Sequence, residues 1–202
     1  MNAERNWGAV GSELQREERV VQRKVAILGH SFVRDLPLSA GSLLAGNSNR
    51  IILRKKFFVP GATVPSIQGG RVWNRYLNFN PDLTFLLIGG NDISSNSSPP
   101  IIARSIINLA KKIKELTRGE VKIITVERRP VPRGITASCY NRQRTSINRY
   151  LKHRDSFTKG RIVFSEARDS DSQDGVHLRE SASCNLVNNI EWHIERFAVE
   201  YW

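Results

Sequence analysis

An α/β fold with a parallel sheet between two helical layers is predicted by three observations. Short apolar runs end abruptly at glycine or at a polar loop, as at Lys24 to Gly29 and Asp82 to Gly90. Stretches with helical apolar spacing alternate with these runs, and parallel neighbours need such a crossover. At 202 residues the chain fits one domain with a sizeable core. Together these predict a three-layer α/β/α sandwich with a sheet of about five parallel strands.

Residues 1 to 23 are polar, carry no apolar period, and read as an N-terminal extension; residues 24 to 202 form the predicted domain. Lys24 to Leu28 (KVAIL) is a buried strand that stops at Gly29. Ile51 to Val59 is rich in β-branched and aromatic residues and ends at Pro60-Gly61, a strand followed by a tight turn. Residues 66 to 78 permit a helix. Asp82 to Ile88 (DLTFLLI) is the clearest strand, ended by Gly89-Gly90. Pro99-Pro100 precedes a helix over 101 to 116, with Ile102, Ile106, Leu109, Ile113 and Leu116 as its apolar stripe and Gly119 as its stop. Val121 to Val126 is a strand, 138 to 153 a basic helix, Arg161 to Ser165 the last strand, and 179 to 200 the last helix.

Charge is the strongest bulk signal. Thirty-one basic residues against nineteen acidic ones leave a net charge of +12. Fifteen of the bases, against four acids, fall between Lys111 and Arg161. Such a stretch is either a solvated face or a polyanion-binding surface, with Arg128, Arg129, Arg142, Arg144, Arg149, Lys152 and Arg154 as candidate contacts. No segment reaches the ~18 apolar residues of a membrane helix, and the charged first residues do not read as a signal peptide, so an intracellular location, cytoplasmic or nuclear, is expected. Cys139 and Cys184 are too few for a disulfide framework and match no zinc spacing, so both read as reduced thiols.

Four short motifs follow one another along this pattern: Gly29-His30-Ser31, Pro60-Gly61-Ala62-Thr63, Gly89-Gly90-Asn91-Asp92 and Asp174-Gly175-Val176-His177. The first three sit just after predicted strand ends, where open α/β sheets build their sites. A serine hydroxyl is a weak nucleophile at neutral pH and needs a base with an orienting partner. Ser31 could find these in His177 and Asp174, whose i, i+3 spacing brings the two side chains together if the last helix begins there. An ester oxyanion needs preorganised donors, which the Asn91 amide and the backbone N–H groups of Gly61 and Ser31 could supply. Taken singly, Asp174 is equally a helix cap, His177 a first-turn residue, Ser31 a helix N-cap, Gly61 a turn glycine and Asn91 a loop residue. Collected on one sheet edge they make a catalytic constellation.

VAILGHS at 25 to 31, PGAT at 60 to 63, GGND at 89 to 92 and DGVH at 174 to 177 resemble the successive blocks of the SGNH, or GDSL-type, hydrolases over about residues 24 to 200. The resemblance implies a flavodoxin-like sandwich, Ser31 as nucleophile, Gly61 and Asn91 as oxyanion donors alongside Ser31, His177 as general base and acid, and Asp174 as its partner. It implies no metal or organic cofactor. One departure is visible: His30 stands where the family usually has Asp, which touches the support of the nucleophile loop rather than the triad. GHSFVRDL, PGATV and GGNDI are also similar to SGNH domains carried by animal retroelement-type proteins.

The expected function is therefore a serine esterase or deacetylase acting through an acyl-enzyme on a small-molecule, lipid or carbohydrate ester. The alternative is a hydrolase-like domain that mainly binds nucleic acid or another polyanion through its basic stretch. Specificity would lie in the loops at 35 to 50, 92 to 100 and 128 to 138.

Overall fold

A computed structural model describes residues 21–38, 41–44, 50–129, 131–165 and 179–201. In chain order its elements are β1 (Val21–Gly29), α1 (Ser31–Asp35), β2 (Gly41–Leu44), β3 (Arg50–Phe58), α2 (Gly70–Phe79), β4 (Leu83–Leu87), α3 (Pro99–Thr117), β5 (Glu120–Ile124), α4 (Ala137–His153), β6 (Ile162–Val163) and α5 (Glu180–Glu200). The sheet order is β2-β3-β1-β4-β5-β6. Five strands, β3, β1, β4, β5 and β6, run parallel, and β2 joins β3 antiparallel at the edge. Among the parallel strands, the first in sequence lies between the second and third, which is the flavodoxin-like order with its switch point between β1 and β4.

Strand alternation decides the layers. Val25 and Ile27 of β1, with Leu83, Phe85 and Leu87 of β4, face Phe32 and Val33 of α1 and Leu186, Ile190 and Ile194 of α5. Ala26 and Leu28 of β1 and Leu86 of β4 face the opposite way, onto Trp73 and Tyr76 of α2, Ile106 and Ile113 of α3, and Ile147 and Leu151 of α4. The two faces carry separate apolar clusters, so the central strands read as continuous apolar runs in the sequence. One polar residue interrupts β4: Thr84 is fully buried, and its hydroxyl is 2.8 Å from the Tyr76 hydroxyl. Both groups are thereby satisfied, and burial holds the Tyr76 phenol well above its usual range.

The structure corrects the sequence reading at several places. Segment 35 to 50, read as a loop, contains β2, which at four residues is too short to show a period. The helix expected over 66 to 78 is divided at Gly69-Gly70 into a single 3-10 turn, Ser66–Gln68, and α2. Gly70 has φ +76°, a conformation that breaks the helical run. The α3 helix ends at Thr117 and is capped by Arg118, left-handed at φ 58°, rather than by Gly119. Gly119 serves packing instead: a Cβ there would lie 2.3 Å from the Pro81 carbonyl oxygen. Strand β1 begins at Val21, three residues before the predicted start, because its first residues pair with Arg50 to Ile52. Ser31 is the first residue of α1 and not its cap. His30 caps the helix, its Nδ1 accepting from the Phe32 N–H at 3.4 Å.

The strand-to-helix turn leading to Ser31 depends on Gly29. A Cβ on this residue would lie 2.0 Å from the Leu87 carbonyl oxygen of β4, and backbone cannot yield as a flexible side chain can. Gly29→Ala is expected to destabilise the protein by about 3 kcal/mol or more, read as a lowered midpoint in urea unfolding.

Candidate active site

Three strand ends deliver the first three motifs to one place. Ser31 follows β1, Gly61 follows β3, and Asn91 follows β4. They line a single cleft of 410 Å³ at the carboxyl edge of the sheet, together with Arg34, Arg129 and Arg133. The cleft therefore sits at the switch point where β1 and β4 part their connections to opposite faces.

Each loop has a local cause. After β3 the chain turns through Val59-Pro60-Gly61-Ala62, with the Ala62 N–H donating to the Val59 carbonyl at 3.1 Å. Gly61 at φ +71° occupies the third position of this turn, which a type II geometry reserves for glycine after proline. The turn bond uses the Ala62 N–H and leaves that of Gly61 outside its ring. The preceding residue is anchored as well, since the Val59 N–H donates to the Gly29 carbonyl at 3.0 Å. After β4, Gly89 takes φ +106° and lets the chain swing Asn91 and Asp92 toward the Gly61 turn.

Asn91 is fixed by two partners that settle its orientation. Its Nδ2 donates to the Ala62 carbonyl at 2.8 Å, and Arg129 Nη1 donates to its Oδ1 at 2.9 Å. A carbonyl can only accept and a guanidinium can only donate, so the amide has one consistent placement. One of the two Nδ2 hydrogens is engaged by Ala62, and the amide has a second to offer. Asp92 adds a parallel tether, its carboxylate accepting from the Val64 N–H at 3.0 and 3.1 Å. Burial raises the Asp92 carboxyl above its ordinary range, opposed by that Val64 hydrogen bond.

Arg129, a candidate polyanion contact in the sequence, is placed inward by the structure. Grouped with the surface bases, it is buried, at 8% exposure, with its guanidinium over the rings of Phe32 at 5.5 Å and Tyr140 at 5.8 Å. Gly90 makes room for it: a Cβ there would lie 3.0 Å from Arg129 Nη2 and 3.1 Å from the Tyr140 hydroxyl. That hydroxyl donates to the Glu127 carbonyl at 3.2 Å. The only sequence signal for this role was the position of Arg129 just beyond a predicted strand end. Of the other basic candidates, Arg142, Arg149, Lys152 and Arg154 are exposed, and Arg128 and Arg144 are half-buried.

His30 is buried at 2% exposure and lies edge-on to Phe32, with ring centroids 4.9 Å apart. It thus combines the α1 cap with packing against the ring that carries Arg129. Asp174 and His177 lie outside the described residues. His153 is exposed and His193 half-buried against Trp192, both away from the cleft. Cys139 and Cys184 are half-buried free thiols. Among the described residues, no helix is long and apolar enough to cross a membrane.

No family model matches the chain, and no curated protein sequence matches it. Solved structures match its shape. A GDSL-like lipase from Bacteroides thetaiotaomicron superposes with a TM-score of 0.63 at 14% identity, covering 87% of this chain and 89% of the other. A lipase/acylhydrolase from Enterococcus faecalis does so with a TM-score of 0.58 at 16% identity, over 86% and 95% of the two chains. The chain has the fold of GDSL-type lipases and acylhydrolases. A psychrotrophic esterase from Pseudoalteromonas, in a structure inhibited by monoethylphosphonate, matches with a TM-score of 0.55 at 15% identity over 87% and 98% of the chains.

One titratable group near the cleft has an uncommon environment. Glu127, just beyond β5, is buried at 3% exposure. Burial pushes its carboxyl up to about 7, opposed by a Ser165 hydrogen bond and the charge of Arg144. A carboxyl raised on folding binds its proton more tightly in the native state, so its favourable contribution is complete below the unfolded value of ~4.3 and lost as pH rises through about 7. Glu127→Gln removes that loss. Urea unfolding of both proteins is expected to show the variant gaining on wild type between pH 5 and pH 8 by about 2–3 kcal/mol.

Proposed function

We propose that the chain is a serine esterase of the SGNH type, hydrolysing a carboxylic ester through an acyl-enzyme. The observation that carries this reading is the meeting of Ser31, Gly61 and Asn91 in one cleft, with the Asn91 amide oriented by Arg129 and Ala62. Loops from three separate strands have no structural need to converge on a serine, and the donors are the kinds an ester oxyanion needs. Similarity in fold to a lipase, an acylhydrolase and an esterase supports the same class of chemistry.

In this reading the Ser31 hydroxyl oxygen attacks the ester carbonyl carbon while His177 takes its proton, with Asp174 orienting the imidazole. The carbonyl oxygen becomes an oxyanion held by the N–H groups of Ser31 and Gly61 and by Asn91 Nδ2. Collapse breaks the bond to the alcohol oxygen, which leaves with the proton from His177. Water, deprotonated by His177, then attacks the acyl-Ser31 carbonyl, and collapse breaks the bond to the Ser31 oxygen, which takes the proton back from His177 as the acid is released. Electron pairs and protons balance across both halves, and no cofactor enters. The arginine bond to Asn91 Oδ1 polarises the amide and strengthens it as a donor to the oxyanion.

The test is labelling with a fluorophosphonate probe and peptide mapping, beside p-nitrophenyl acetate turnover. Modification at Ser31, with turnover abolished in Ser31→Ala, is the expected result. Asn91→Ala is expected to lower kcat by about 10²–10³-fold, the cost of one oxyanion donor. Folded protein that neither labels nor turns over ester overturns the reading.

A second reading has its own observation. Helix α4 exposes Arg142, Arg149 and Lys152, and Lys152 Nζ lies 4.9 Å from the ring centre of the half-exposed Phe164. Cations interleaved with an accessible ring are suited to a nucleic acid backbone and its bases. If this face binds RNA or DNA, affinity falls steeply between 50 and 200 mM salt and drops further in Arg149→Ala with Lys152→Ala. Retention that is indifferent to salt would exclude it.

A further inference from the structure

The cleft is lined by three arginines, Arg34, Arg129 and Arg133, and by no acidic residue among the described ones. They differ in how their charges are met. Arg34 forms a two-point ion pair with Asp35, Nε to Oδ1 at 2.6 Å and Nη2 to Oδ2 at 3.0 Å. Among the described residues, neither Arg129 nor Arg133 has a carboxylate partner. Arg129 is buried, the partners of its guanidinium among the described residues are a neutral amide oxygen and two rings, and its Nε has no acceptor among them. Burying a cation without a counter-charge is costly, and buried charges are ordinarily paired. Arg133 is exposed and lines the same cleft from its solvent side.

We propose that the ester cleft selects substrates bearing an anionic group, a carboxylate or a phosphate, beside the scissile ester. The inference rests on the esterase reading and names its substrate class. A guanidinium presents paired N–H donors that match carboxylate and phosphate oxygens, and a cleft lined by one sign of charge concentrates the opposite sign at its mouth. Two of the three cleft cations await an anion among the described residues, so a neutral ester leaves the field unused. Arg133 is the selecting residue at the rim, and Arg129 supplies a fixed positive potential deeper in the site. Bond making and breaking are unchanged: Ser31 forms the acyl-enzyme and water cleaves it, with the anionic group a spectator.

The test compares acetyl esters that differ in charge. 4-Acetoxybenzoate carries a carboxylate, 4-acetoxyphenyl phosphate carries a phosphate, and methyl 4-acetoxybenzoate is their neutral counterpart. For an anion on the acyl side, mono(4-nitrophenyl) adipate is set against its methyl ester. At low salt, kcat/KM for the anion is expected to exceed that of its neutral counterpart by about tenfold on at least one side of the ester. The preference shrinks as salt screens the cleft, and in Arg133→Glu, checked for folding by circular dichroism, the ratio falls to one or below. Which acetyl ester leads distinguishes carboxylate from phosphate. Equal or better turnover of the neutral ester in every pair overturns the substrate class while leaving the esterase reading standing. Absence of turnover of all five esters, with no fluorophosphonate labelling, overturns both.

Discussion

The Asn91 side chain is the junction on which the cleft depends. Its amide joins the loop after β4 to the turn after β3 through Ala62, and to the segment after β5 through Arg129. Asp92 doubles the first of these links by holding the Val64 N–H. Three strand ends are thereby tied laterally, at the level where the sheet's own hydrogen bonds have stopped. A side chain that ties these loops together, and that the proposed esterase chemistry would use as an oxyanion donor, cannot relax away from its position without loosening the turn that carries Gly61. Preorganisation of this kind gives electrostatic stabilisation of an oxyanion its value, because no reorganisation is left for the moment of reaction.

Support for Asn91 extends outward through apolar and aromatic groups. Arg129 reaches it by lying against Phe32 and Tyr140, through space that Gly90 keeps open. Phe32 is in turn held by His30, whose Nδ1 accepts its N–H and whose ring packs edge-on against it. This accounts for a histidine where the family resemblance leads one to expect an aspartate: an acceptor at the helix cap is retained, and a ring is added to the wall beneath Arg129. Proximity of Ser31 to these supports follows from Gly29, which allows β1 and β4 to approach until Leu87 is in contact.

Charge connects this arrangement with chemistry. A guanidinium buried between rings and an amide creates a positive potential where an anion would otherwise be expected, and Arg133 continues it to the rim. Glu127 shows the opposite solution nearby, a buried carboxyl that burial pushes toward neutrality. The same low dielectric that makes a carboxylate give up its charge leaves an arginine charged, since a guanidinium is not deprotonated in proteins.

The amino-acid sequence determined the layers, because strands buried on both faces are continuous apolar runs, and DLTFLLI at 82 to 88 and KVAIL at 24 to 28 are short runs of that kind, each stopped by glycine. It also determined which residues end those strands, since Gly29, Gly61 and Gly89-Gly90 mark where the backbone leaves the sheet. The edge strand β2, too short for a period, was decided by pairing with β3. The place of Arg129 was likewise tertiary: in a stretch of fifteen bases its position just beyond a strand end does not by itself turn it inward, since the neighbouring Arg128 shares that position and is only half-buried. Its burial depends on Phe32, Gly90 and Tyr140, which lie far apart in the chain and meet only when the sheet is assembled. Periodicity along a chain records which face is dry, whereas the partner of a polar group is a matter of distance across the fold.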